Sequence, residues 1–201
     1  MAVRAHADDR HVGSYALDAI PRVLDPGARL PCATHLVSYR GNAVRLAKPG
    51  HVDPAFVSKL EGLESVVVAV ATEVYGRAPR TLVHLGTQAC RRMRRYPDWV
   101  SEHALGNAID VAGFDFGPLR RGASLSAGLP PALRRAFSVR MLAHWNGTHG
   151  AAAVHARFLR TLAARLVARP DLFRVVLGPA WPGHRDHLHL DFAPYRVVAV
   201  F

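Results

Sequence analysis

The chain has 201 residues, 50% hydrophobic and 20% charged, so it can bury the core of one ordinary globular domain. No apolar run approaches the ~18–20 residues that cross a bilayer, so we expect no membrane span. Residues 1–20 lack the charged start and apolar stretch of a secretory signal peptide. The formal net charge of +11 favours anionic partners, although a solvated arginine-rich surface accounts for it equally well.

Residues 1–52 are rich in turn-forming residues and predict an irregular N-terminal extension packed on a domain that spans residues 53–201. Asp53 and Pro54 are typical of a helix start. A helix is predicted over residues 55–75, because apolar residues recur there at steps of three and four. These residues are Leu60, Leu63, Val67, Val70 and Val74. A strand is predicted over residues 82–85.

The second half of the chain alternates between strand and helix patterns. Strands are predicted over residues 107–114 and 138–145, and a long helix over residues 148–169 with its apolar stripe facing a core. Two further strands, over residues 175–177 and 187–192, are separated by turn residues. The whole predicts an α+β domain with a small, mostly antiparallel sheet flanked by helices.

The two cysteines, Cys32 and Cys90, are too few for a disulfide scaffold and lack a metal-binding CxxC spacing. They form either one disulfide bond or two small buried thiols. An oxidising compartment favours the bond.

Three histidines are followed seven positions later by aspartate, where chance alone gives about 0.7 such pairs. The pairs are His11/Asp18, His103/Asp110 and His184/Asp191. Only the second has a context suited to a metal site, because Gly106 permits a tight reversal between the two side chains and Asp110 leads into an apolar strand. We interpret the first pair as a coincidence and give no weight to the third.

The segment over residues 186–192 supplies the remaining candidate ligand. Strand alternation places His187, His189 and Asp191 on one face of the strand. Two histidines and one carboxylate leave the fourth tetrahedral position open, which is typical of a catalytic zinc site. Asp191 is a candidate hydrogen-bond partner for a ligand imidazole.

The motif SxHxxGxAxD with a downstream HxH resembles the LAS group of zinc peptidases, which spans lysostaphin-like endopeptidases, D-alanyl-D-alanine peptidases and the hedgehog signalling domain. The segments SEHALGNAIDVAGF and HRDHLHLDF are more closely similar to the bacterial extensin-like C-terminal domain family. The resemblance covers residues 53–193. It implies a LAS-like fold and a Zn²⁺ ion held by His103, Asp110 and His189.

The resemblance also implies catalytic residues. Asp186 stands three residues before the last ligand, where dipeptidase members carry a catalytic glutamate, and His187 matches a histidine that helps to activate water. The general base is therefore Asp186 or His187, and we favour Asp186 with His187 assisting. Arg91 stands where related peptidases place a substrate-polarising arginine, although it also belongs to a run of solvated arginines.

The resemblance implies a zinc-dependent endopeptidase or carboxypeptidase of peptidoglycan peptides, located in the periplasm or cell envelope, with anionic wall polymers as further partners. A non-catalytic zinc-containing module for cell-wall binding or another interaction is the alternative, because aspartate replaces the glutamate. A basic nucleic-acid binder is the least favoured function, since no aromatic residues are interleaved with the clustered arginines and no nucleic-acid motif accompanies them.

Overall fold

A mixed sheet of seven strands is the centre of the computed structural model, which describes residues 15–201. The strands are β1 (Val37–Tyr39), β2 (Arg45–Leu46), β3 (Gly50–Val52), β4 (Thr81–His84), β5 (Ala108–Phe116), β6 (Phe137–Arg140), β7 (Val175–Leu177), β8 (Leu188–Asp191) and β9 (Val197–Ala199). The seven-stranded sheet has the order β2-β4-β5-β8-β7-β9, and β6 pairs with the far end of β5. Four of its pairings are antiparallel, while β2–β4 and β7–β9 are parallel.

Two long helices and one short helix accompany the sheet: α1 (Val57–Tyr75), α2 (Met141–His144) and α3 (Gly150–Val167). The predicted start and end of α1 are confirmed. The Asp53 carboxylate accepts a hydrogen bond from the Ala55 amide at a preceding 3₁₀ turn, and Gly76 ends the helix with a φ of 69°. The mixed α/β architecture, with a mostly antiparallel sheet, agrees with the prediction.

Helices α1 and α3 pack against each other and share one hydrophobic core with the sheet. Ile109, Val111 and Phe114 of β5 are almost fully buried in this core. Asp110 lies between two of them, so strand alternation directs its carboxylate to the opposite face of the sheet. One face therefore contributes to the hydrophobic core, while the other is free to carry polar chemistry.

The strand predicted over residues 138–145 is wrong in its second half, because the chain turns into α2 after Arg140. The amide of Arg140 donates to the His144 Nδ1 atom, and the amide of Trp145 donates to the carbonyl of Met141. These local hydrogen bonds replace the sheet pairing that an extended chain would need.

The prediction of an irregular segment before residue 53 also needs correction. Strands β1 and β3 form an antiparallel pair, and β2 joins the main sheet. A buried carboxylate, Glu64 of α1, anchors the turn between them, because it accepts hydrogen bonds from the Tyr39 hydroxyl and from the amides of Asn42, Ala43 and Val44. Tertiary contact with α1 thus orders a segment whose composition indicates turns.

Cys32 and Cys90 form a disulfide bond, one of the two alternatives that the sequence left open. Its two arms lie beside the short 3₁₀ helix Glu102–Leu105, where Ala33 donates to the carbonyl of Ala104 and Ala89 to that of His103. The bond therefore ties the N-terminal segment to the part of the chain that carries His103. Among the residues described, no helix is long and apolar enough to cross a membrane.

The buried His155 is expected to make the folded state less stable in acid. Burial, together with His144, lowers the pKa of His155 to about 4, and its Nδ1 atom is hydrogen-bonded to the Tyr75 hydroxyl. An imidazole in an unfolded chain titrates near ~6.5, so the unfolded state takes up more protons between these values. The stabilisation is therefore complete above about pH 6.5 and is lost as the pH falls toward 4.

The unmodified protein is expected to lose free energy of unfolding between pH 7.5 and pH 5. Replacing His155 with Gln should make this loss smaller by about 1–2 kcal/mol. Urea unfolding followed by circular dichroism at both pH values measures this difference. The exposed His149→Gln variant is the control and should lose as much stability as the unmodified chain. Equal acid losses in all three proteins would contradict the expectation.

Candidate metal centre

His103 lies in the 3₁₀ helix Glu102–Leu105, one turn before β5. Gly106 ends this helix with a φ of 65°, a conformation that glycine adopts without strain. A Cβ atom at Gly106 would also lie 2.8 Å from the Asp53 amide nitrogen and 2.5 Å from a Leu36 methyl group. The glycine therefore serves both the turn and the close packing that bring His103 back over β5.

A buried polar network fixes the segment on either side of His103. Glu102 forms an ion pair with Arg22 and accepts a hydrogen bond from the Asn107 side chain. Asn107 also donates to the carbonyl of Phe192 and accepts from the Tyr15 hydroxyl. Burial raises the pKa of Glu102, although Arg22 and Asn107 oppose this shift. The network connects the N-terminal segment with the strands that carry the other candidate ligands.

Three ligand atoms from His103, Asp110 and His189 converge on one point. Asp110 of β5 and His189 of β8 are direct neighbours in the antiparallel register. The His189 Nδ1 atom lies 2.9 Å from the Asp110 Oδ1 atom. The His103 Nε2 atom lies 3.2 Å from each of them. The structure thus brings together the three residues that the sequence predicted as metal ligands.

The opposite ring nitrogens of both histidines face hydrogen-bond acceptors. The His103 Nδ1 atom lies 3.2 Å from the carbonyl oxygen of Thr87, to which only a protonated nitrogen can donate. The His189 Nε2 atom lies 2.7 Å from Asp191 Oδ2, and Asp191 is itself buried and held by the Ala193 amide. Donation to these acceptors leaves a lone pair on each ring nitrogen that faces the centre.

Electrostatic interactions in the centre favour a bound cation. Burial lowers the pKa of His189, but the Asp110 and Asp191 carboxylates outweigh it and raise that pKa to about 10. Burial likewise acts to raise the pKa of Asp110, yet His103 and His189 bring it well below its usual range. Two nitrogen donors and one carboxylate oxygen suit a borderline divalent ion such as zinc. The cluster therefore offers a set of donor atoms that could hold a divalent cation.

Two further histidines stand at the centre without belonging to its three ligands. The His187 Nε2 atom lies 3.6 Å from Asp110 Oδ1, and its Nδ1 atom is 2.7 Å from Asp186 Oδ1. The His184 ring packs 4.8 Å from the His187 ring and 5.8 Å from the His189 ring. Burial, followed by the charges of His189 and His187, lowers the pKa of His184 to about 4. His184 therefore also borders the centre.

The remaining predicted residues have different surroundings. Arg91 is exposed, and its guanidinium donates within the described chain only to the carbonyl of Arg92. His11 lies outside the described residues, and its partner in sequence, Asp18, forms an ion pair with Arg174 instead. The sequence analysis did not identify Thr87 as part of the centre. Its backbone carbonyl contacts His103, and a backbone contact does not depend on the type of residue.

Comparison with known protein families places this centre in context. Residues 21–128 match the family model described as Extensin-like protein C-terminus, which is more than half of the chain. The match includes His103, Asp110 and Arg91, whereas Asp186, His187 and His189 lie beyond its end. Neither the curated proteins nor the solved structures contain a match to this chain.

Removing the carboxylate of Asp191 is expected to weaken metal binding at this centre. Asp191→Asn keeps an acceptor for the His189 Nε2–H group but loses the negative charge, and Asp191→Ala loses both. We expect the Kd for Zn²⁺ to rise by about 10-fold in the first variant and about 100-fold in the second. Competition with a coloured chelator measures both values.

The control for these variants is Asp171→Asn, which changes an exposed carboxylate that pairs with Arg169. Thermal melting of each apo-protein identifies any loss of folding, since Asp191 also accepts a hydrogen bond from the Ala193 amide. A folded Asp191→Ala variant with unchanged zinc affinity would show that the Asp191 contact has no role in metal binding.

Proposed function

The chain belongs to the extensin-like protein C-terminus family, and we propose that it is a zinc-dependent peptidase of peptidoglycan. The observation that carries this proposal is the convergence of His103, Asp110 and His189 with both remote ring nitrogens hydrogen-bonded. The same three residues match the ligand motif of the LAS peptidases. We include a LAS-like fold in the proposal.

The donor set fits a catalytic ion better than a structural one. Three protein ligands leave a coordination position for water or substrate, whereas a closed structural site uses four protein ligands, most often cysteines. Zinc bound here would supply a Lewis acid that polarises a peptide carbonyl and lowers the pKa of water. Each ligand comes from a buried, hydrogen-bonded segment, so the geometry is fixed before substrate arrives.

His187 is suited to take up the proton of the attacking water. Its Nδ1 atom lies 2.7 Å from Asp186, and its Nε2 atom faces the centre, 3.6 Å from Asp110 Oδ1. In the tautomer that donates from Nδ1 to Asp186, the Nε2 atom keeps a lone pair directed at the centre. Asp186 is half exposed and is engaged with this ring. We therefore propose His187 as the general base and Asp186 as the residue that orients it, which reverses the assignment favoured from sequence.

Substrate binding and location complete the proposal. Arg91 remains a candidate for binding the substrate carbonyl, because it follows Cys90 on the loop whose residue Ala89 hydrogen-bonds to His103. The disulfide bond with Cys32 is typical of proteins in oxidising compartments. It supports a site of action in the periplasm or cell envelope, where peptidoglycan peptides and anionic wall polymers are available.

Substitution of His189 with Ala should abolish both zinc binding and hydrolysis. The unmodified protein is expected to contain about one zinc ion per chain and to shorten muropeptides, which mass spectrometry of the digest detects. The exposed His149→Ala variant is the matched control and should retain both properties. One bound zinc ion without hydrolysis across a broad muropeptide panel would instead indicate a non-catalytic wall-binding module.

The roles of His187 and Asp186 can be separated by their kinetics. We expect His187→Ala to lower kcat by about 10²–10⁴-fold with zinc content unchanged, because it removes the proton acceptor. Asp186→Asn retains a hydrogen-bond acceptor for the His187 ring and should lower kcat by about tenfold. A larger loss of kcat in Asp186→Asn than in His187→Ala would assign the base to Asp186.

A further inference from the structure

The positive charge of the chain is distributed unevenly. Residues 116–170 contain no aspartate, glutamate or lysine, and they contain nine arginines. The arginines are Arg120, Arg121, Arg134, Arg135, Arg140, Arg157, Arg160, Arg165 and Arg169. Residues 74–97 also lack acidic residues. Solvated surfaces usually mix the two signs of charge, so an acid-free stretch of this length needs a structural explanation.

Five exposed arginines from these stretches lie together at one end of the sheet, and we name them the arginine surface. They are Arg80, Arg120, Arg121, Arg134 and Arg135. Two contacts place them close to one another. The Leu119 amide donates to the carbonyl of Arg134, and the Arg80 guanidinium packs against Gly117. The first contact joins the two ends of the loop of residues 117–136, and the second joins this loop to the turn after α1.

Arg77 fixes the position of this loop through contacts with its C-terminal part. Its guanidinium donates to the carbonyls of Leu133 and Arg135 and lies over the Phe137 ring, 5.0 Å from the centroid. The loop is thereby fixed with its arginines outward. Within the described residues, none of the five side chains forms an ion pair or a hydrogen bond, and all five are exposed.

The arginine surface is remote from the metal centre. The loop begins after Phe116 and returns at Phe137, which are paired at the end of β5. Asp110 lies six residues earlier on the same strand, which at ~3.3 Å per residue corresponds to about 20 Å. The surface therefore cannot contact the peptide bond at the centre, but it can contact a polymer that extends well beyond it.

We propose that the arginine surface binds the carboxylates of peptidoglycan stem peptides and holds the protein on its polymeric substrate. Guanidinium groups bind carboxylates through paired hydrogen bonds, and several neighbouring arginines match a polymer with repeated carboxylates. The choice of polymer rests on the proposed function. The loop itself offers no Phe, Tyr or Trp for stacking nucleic-acid bases, and none of its large hydrophobic side chains is exposed for insertion into a membrane.

Co-sedimentation with purified peptidoglycan sacculi, stripped of covalently attached polymers, tests this inference. The test variant replaces Arg120, Arg121, Arg134 and Arg135 with Gln, and the matched control replaces Arg40, Arg45, Arg94 and Arg95 with Gln. Both sets consist of exposed arginines without side-chain hydrogen bonds among the described residues, and both remove the same charge. We expect about a tenfold loss of affinity in the test variant and about a twofold loss in the control at low salt.

Amidation of the sacculi carboxylates identifies the chemical group. We expect amidated sacculi to bind the unmodified protein as weakly as native sacculi bind the test variant. Equal losses in the two variants would reduce the effect to net charge and overturn the proposal. So would binding that survives amidation, or tighter binding of the arginine surface to DNA or anionic vesicles than to sacculi at the same salt.

Zinc content and the rate on soluble muropeptides distinguish a failure of this inference from a failure of the proposed function. The test variant should retain its zinc content and its rate on soluble muropeptides, because the arginine surface is remote from the centre. If the unmodified protein cleaves no muropeptide yet binds sacculi through these arginines, the docking surface stands and the peptidase function fails. Loss of zinc from the test variant would show that the substitutions disturb the centre, which contradicts a separate docking role.

Discussion

Two imidazole nitrogens and one carboxylate oxygen lie within 3.2 Å of one another, and their lone pairs repel unless a proton or a cation lies between them. The fold enforces this proximity. Register pairs Asp110 directly with His189, and the left-handed turn at Gly106 folds His103 over the same point. Thr87 and Asp191 accept hydrogen bonds on the remote side of each ring, which aims the free lone pairs inward. A proton can satisfy this arrangement, but a divalent cation satisfies all three atoms at once.

The parts of this arrangement that depend on local sequence patterns can be predicted from the sequence. Three- and four-residue periodicity predicts α1, alternation predicts β8, and the spacing around Gly106 singles out His103 and Asp110. The parts that escape prediction depend on long-range contacts. Glu64 orders the turn after β1 through backbone amides, and no residue type in the turn marks in advance that a distant carboxylate will bind it. The contact of the Thr87 carbonyl with His103 cannot be predicted either, because every residue has a backbone carbonyl.

The N-terminal segment has a larger role than its composition indicates. Arg22 is buried against Glu102, one residue before His103, and the disulfide bond from Cys32 reaches the loop on the other side of that histidine. The family match likewise begins at residue 21 rather than at the start of α1. A buried ion pair is costly when either partner is removed, so the geometry of the proposed metal ligand His103 depends on residues far from it in sequence.

X-ray absorption spectroscopy of the zinc-loaded protein at the zinc K-edge tests the central claim most directly. The structure predicts one ion with two imidazole nitrogens at about 2.0–2.1 Å and one or two oxygens at about 2.0–2.2 Å. In His189→Ala this zinc shell should be absent, and in His103→Ala it should be absent or have one imidazole fewer, which would assign those nitrogens to the centre. A shell that contains sulfur, or one that is unchanged in both variants, would contradict the account by placing the ion elsewhere.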